Sequence, residues 1–138
     1  YNSTHNLVIT AKNEGGLFYA NEIYRTIYLW DTSNVTLSFY INATAGFSPP
    51  DTLTICISDT SWNQSICFIT SNSSYTERNS TIVLPSSFGF FSYNISDVWQ
   101  KTYNATLPTP FFITIKNIDF DGVENIGCVG DITVKVGG

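Results

Sequence analysis

Charge is scarce in this chain: charged residues make up 12% of it, about half the share usual for a soluble domain. The six basic residues, Lys12, Arg25, Arg78, Lys101, Lys116 and Lys135, are scattered, and the net charge is −5. Phosphate recognition needs clustered Lys and Arg, so nucleic acid is excluded as a partner. Histidine occurs once, at His5, and cysteine three times. A zinc centre needs more ligands at closer spacing, and a catalytic cysteine needs a histidine placed beside it. No Gly-rich phosphate loop, nucleophile elbow or zinc signature occurs. The expectation is a protein that is not an enzyme and holds no cofactor. No apolar run approaches the roughly 18 residues of a membrane span. The chain does not open on Met, and Tyr1 reads as a mature N-terminus left by signal cleavage. Helix formers are few as well. Ala, Leu, Glu, Lys, Gln and Arg fill 24 positions, against 61 for Val, Ile, Thr, Phe, Tyr and Trp, a balance that favours pleated strands.

What is present is a succession of short strand patterns. They span 5–12, 22–30, 34–42, 52–58, 65–70, 81–84, 89–95, 110–116 and 131–136. Turn chemistry separates them: Gly15-Gly16, Asp31 to Ser33, Ser48-Pro49-Pro50-Asp51, Pro85-Ser86-Ser87, Pro108-Thr109-Pro110 and Asp121-Gly122. One short helix fits 96–103, with Ser96 as its N-cap. A chain of 138 residues suits one domain with a real core. The fold class is therefore all-β, a single antiparallel β-sandwich.

The pattern Asn-x-Ser/Thr occurs at Asn2, Asn34, Asn42, Asn63, Asn72, Asn79, Asn94 and Asn104. With 13 Asn and 32 Ser plus Thr, random placement would give about three such sequons. The excess points to covalent N-glycans that keep a charge-poor surface soluble. In 34–42 the odd positions Val35, Leu37, Phe39 and Ile41 are apolar, which sends Asn34 and Asn42 to the opposite, wet face. Ser92, Asn94 and Ser96 likewise alternate with Phe91, Tyr93 and Ile95, and Asn63 falls in a hairpin tip.

Cys56 and Cys67 flank a polar turn centred near Ser61 and Trp62, which sets them directly opposite in a hairpin. Opposed residues are close enough for a disulfide, and that bond implies an oxidising, extracellular location. Cys128 is left as a buried thiol, an intermolecular link or the partner of one of the others.

Three features carry alternatives. The first strand places Leu7, Ile9 and Ala11 on one face and Val8 and Thr10 on the other, and Gly15-Gly16 follows closely. Those glycines are either a turn that folds the strand back or a hinge that lets it pair with a neighbouring subunit. Asp119, Asp121 and Glu124 are either turn residues or oxygen ligands for calcium. Trp62 is either packed or an exposed anchor, whereas Trp30 and Trp99 are expected in the core.

Sequon density, low charge, abundant Asn, Ser, Thr, Ile and Tyr, and an opening strand ahead of Gly15-Gly16 together resemble subunits of archaeal surface filaments. The thread filament of thermoacidophilic archaea is similar in character, and the archaeal bundling pilins more loosely so. The resemblance implies a pilin-like sandwich lacking one strand. Residues 1–14 would be donor strand and linker, and 15–138 the sandwich. Leu7, Val8, Ile9, Thr10 and Ala11 would be inserted into the next identical subunit, head to tail, for adhesion or biofilm. A monomeric immunoglobulin-like adhesion or receptor ectodomain and a lectin-like carbohydrate-binding module are the alternatives, with cell-surface or carbohydrate partners.

Overall fold

The computed structural model describes residues 6–12, 19–77 and 80–137. In chain order these form β1 (Asn6–Ala11), β2 (Tyr19–Ile27), β3 (Val35–Ala45), β4 (Thr52–Ser58), β5 (Ser65–Ile69), β6 (Thr81–Val83), β7 (Phe88–Asn94), α1 (Ile95–Tyr103), β8 (Phe111–Asp119) and β9 (Asn125–Val136). Two sheets result, one ordered β1-β9-β3-β7 and the other β2-β8-β4-β5-β6. The all-β sandwich expected from the sequence is what forms. One pair departs from the antiparallel rule: β5 and β6 run parallel. The connection 70–80 is long enough to carry the chain back to the start of β5, which a parallel pair requires.

The alternating pattern of β3 decides the core. Val35, Leu37, Phe39 and Ile41 are fully buried against Leu53, Ile55 and Ile57 of β4 and Ile66 and Phe68 of β5. Phe39 stands at the centre, with ring centroids 6.1 Å from Phe68 across the sandwich and 6.0 Å from Phe91 beside it. β4 is buried along its whole length because β8 and β5 flank it and both its faces are covered. Cys56 lies opposite Cys67 in the β4–β5 ladder and is bonded to it. A loop of this length contributes on the order of 3 kcal/mol by restricting the unfolded chain.

Several expectations need correction. β9 begins at Asn125, not at 131. The stretch Asn125–Gly130 lacks an alternating apolar pattern because Gly127 stands where a Cβ would come within 2.9 Å of the Leu53 side chain. The helix starts at Ile95, and its N-cap is Asn94, whose Oδ1 accepts the Asp97 N–H at 3.0 Å. Ser96 is consequently a buried helix residue, not part of an outward strand face; its hydroxyl donates to the Thr32 carbonyl and accepts the Val35 N–H. Trp99 is buried as expected, but Trp30 is 86% exposed.

Candidate functional site

The edge of the four-stranded sheet is built by β1. Asn6 to Ala11 pair antiparallel with Gly130 to Asn125, and Ile9 and Ala11 are buried while Val8 is 62% exposed. With one chain present, β1 thus completes its own molecule's sheet, the fold-back arrangement of the two expected. The linker, including Gly15-Gly16 and the boundary at 14/15, lies outside the described residues, as does His5.

β1 covers only half of β9. At Asp131 the backbone turns left-handed (φ 48°), and the β3–β9 register shifts between Ser38 and Tyr40, which is a β-bulge. Beyond it, residues 133–136 pair with β3 on one side. Among the described residues no strand pairs with them on the side where β1 lies. A groove of about 630 Å³ opens there between the two sheets, lined by Leu7 at the end of β1, Ile23 and Ile27 of β2, Ile113 and Ile115 of β8, and Ile132 and Val134 of β9. Arg25 and Thr26 of β2 also border it, but the lining is mostly apolar, and backbone edge and groove together have the form of a strand-accepting slot.

Two asparagines grip β1 from the opposite sheet. Fully buried Asn117 donates from Nδ2 to the Ile9 carbonyl at 2.9 Å and to the Asn125 carbonyl at 3.2 Å. Asn21 donates to the Thr10 carbonyl at 3.1 Å. Asn125, also buried, donates to the Ile118 carbonyl at 2.7 Å. Bonds to main-chain carbonyls are indifferent to side-chain identity, so they hold whichever chain supplies the strand. Sequence reasoning missed these residues, which fall outside the strand patterns read from the sequence; their one signal was that they are asparagines outside sequons.

Of the sequon asparagines, Asn34, Asn63, Asn94 and Asn104 are exposed and Asn42 and Asn72 half-buried; Asn2 and Asn79 lie outside the described residues. Three have structural roles as well. Asn94 caps α1 and donates to Asn34 Oδ1 at 3.0 Å, and Asn104 closes the helix in the left-handed conformation (φ 52°). Asn72 donates to the Ala43 carbonyl. Cys128 is partly buried on the outer face, where it lies opposite both Val8 and Asn42. Burial pushes its thiol above the ordinary 9.0.

Of the three residues considered for calcium, Asp119 and Asp121 come together with Asp51, while Glu124 is exposed outside this group. Asp51 ties the turn after β3 to the β8–β9 loop: its oxygens accept the Phe120 N–H at 2.7 Å and the Ser48 N–H at 3.3 Å. The Ser48 hydroxyl donates to Asp121 at 2.6 Å. Burial holds the Asp51 carboxyl above its ordinary 3.8, whereas the Ser48 hydroxyl and then the Val123 N–H hold Asp121 below it. The raised group's contribution is full below 3.8 and is lost as pH rises through its folded value; that of Asp121 is lost as pH falls below 3.8. Asp51→Asn is therefore expected to gain stability relative to the parent as pH rises from 3.8 to neutrality in urea unfolding. A flat difference would contradict this.

No helix among the described residues is long and apolar enough to cross a membrane. No protein-family model matches the chain, and neither a curated protein nor a solved structure matches it; none of these comparisons identifies an archaeal filament subunit.

Proposed function

We propose that this chain is a structural, non-catalytic subunit of a glycosylated extracellular filament. Identical subunits join head to tail when β1 of one fills the β9 edge of the next, and the fibre serves adhesion or biofilm cohesion. The carrying observation is that β1 is a short edge strand on a glycine-containing linker, set in a slot that continues past it as an apolar groove. A subunit whose β1 has left exposes the unpaired β9 edge and the buried faces of Val129 and Ile115, which water solvates poorly. A neighbour's identical strand restores both. Such an interface is heterologous and does not close, so it propagates. The disulfide fits an oxidising compartment, and the exposed sequons at Asn34, Asn63, Asn94 and Asn104 fit carbohydrate on the outside. The resemblance to archaeal surface filaments points the same way.

A second reading, a monomeric adhesion ectodomain, has one observation in its favour: β1 pairs over six residues with its own β9. Electron microscopy and sedimentation of the glycosylated protein separate the two. Fibres with an axial repeat of one subunit are expected; a stable monomer at every concentration overturns the filament reading.

A further inference from the structure

We infer that the outer face of the five-stranded sheet carries a binding site for one pyranose ring of a saccharide. The ladder registers assemble it. Tyr24, Thr114, Cys56 and Cys67 lie in one row across β2, β8, β4 and β5, because each is directly opposite the next. On one side of that row Glu22 faces Lys116, and on the other stands Phe112. Trp62 reaches back over the sheet from the β4–β5 turn. Its ring lies 4.5 Å from Phe112 and 5.4 Å, edge-on, from Tyr24. Between this aromatic rim and the charged side is a hollow of about 120 Å³, floored by the disulfide and Thr114 and walled by Glu22, Glu77 and Lys116.

Four observations point to a sugar. Trp62 is 48% and Tyr24 55% exposed, so the rim offers ring surface to solvent. Trp62 adopts a left-handed backbone (φ 61°), uncommon for a bulky side chain. The turn is held around Asp59, which accepts the Asn63 N–H at 2.9 Å and whose carbonyl accepts the Trp62 N–H. Thr114 is 4% exposed, lines the hollow, and its hydroxyl has no hydrogen-bond partner among the described residues. A buried hydroxyl in that condition calls for a partner. Lys116 Nζ is 3.3 Å from Glu77 and 3.6 Å from Glu22, so fixed donors and acceptors stand together at the wall.

The chemistry selects among ligands. Two carboxylates beside one ammonium disfavour a phosphate or other anion, and the charges at the wall, which an apolar ligand would desolvate, disfavour a purely apolar ligand. A pyranose has an apolar C–H face for the aromatic rim and hydroxyls that both donate and accept for Thr114, Glu77 and Lys116. The hollow is smaller than a ring, so it takes a hydroxyl or hydroxymethyl group while the ring lies against Trp62. The ring could come from a free polysaccharide or from an N-linked chain on a neighbouring subunit. This site is independent of β1 and of the Asp51 cluster.

The test uses the full chain carrying Asn63→Gln, so that no sugar attached beside the hollow fills it. The probes are the methyl pyranosides of glucose, mannose, galactose and N-acetylglucosamine, and N-glycans released from the protein itself. Saturation-transfer NMR is expected to show binding of at least one probe at millimolar concentration, with transfer concentrated on one ring face. Response only to the released glycans identifies the neighbour as the source. Trp62→Ala is expected to weaken binding roughly 30-fold, the effect of losing an aromatic anchor. Thr114→Val, which removes only the hydroxyl, should weaken it about tenfold while leaving near-UV circular dichroism unchanged. No transfer to any probe, or transfer undiminished in Trp62→Ala, overturns the inference.

Discussion

Subunits carrying Ile9→Asp are expected to form no fibres alone, and to shorten fibres when mixed with the parent chain. Ile9 is 6% exposed and belongs to the main core cluster, with its carbonyl held by Asn117. Replacing it forfeits roughly 2 kcal/mol of apolar burial and adds the cost of a buried carboxylate, several kcal/mol more. About 5 kcal/mol corresponds to roughly 10³-fold to 10⁴-fold in association, enough to abolish assembly at any practical concentration. The variant's own groove is unaltered, however. It can accept a parent strand but cannot donate one, so each incorporated copy ends a fibre. Val8→Asp is the control: Val8 is 62% exposed on the outer face, and its fibres should be of ordinary length. Fibres of normal length from Ile9→Asp alone would contradict strand exchange.

Phe39→Ala is expected to cost about 3–5 kcal/mol, a large part of the 5–15 kcal/mol that holds a domain of this size. Phe39 is fully buried and links the sheets through Phe68, with Phe91 and Tyr93 alongside. Truncation leaves a cavity at the middle of the sandwich, where β3 is fixed between β9 and β7 and cannot collapse inward. The urea midpoint should fall by roughly 2 M. Phe90, beside Phe91 on β7, is 47% exposed on the outer face, and Phe90→Ala should change stability by about 0.5 kcal/mol or less. Equal losses at the two positions would show that the inward and outward faces have been misassigned.

Much of this architecture was legible because period-two patterning is a local signal. The odd positions of 35–41 announced an inward face, and the turn around Ser61 and Trp62 fixed the Cys56–Cys67 register without any long-range information. The first half of β9 was not legible. Asn125, Gly127 and Gly130 are poor strand formers; Gly127 stands there because Leu53 of the other sheet comes close, and Asn125 because its side chain bonds across to β8. Those are tertiary reasons that no window of sequence contains. The helix was displaced by one residue for a related cause: Asn94 was assigned to sugar alone, while its side chain also caps α1. The slot was half visible. The inward set Leu7, Ile9 and Ala11 followed from alternation, but the grip by Asn21 and Asn117 and the bulge at Asp131 depend on how the two sheets face each other. The hollow under Trp62 was visible only as an exposed tryptophan; its floor and charged wall come from four strands laid side by side, with Glu77 from the segment between β5 and β6.

Val8 and Cys128 supply the most direct measurement. They are opposed in the β1–β9 ladder, in the same relation that lets Cys56 and Cys67 bond across β4 and β5. Assembled Val8→Cys protein, treated with an oxidant, should link the introduced thiol to Cys128. If neighbouring molecules trade their first strand, denaturing gels without reductant will show a ladder of covalent multiples that reductant collapses. A single band at the mass of one chain, with the new bond mapped inside that chain by mass spectrometry, would mean that each molecule keeps its own strand.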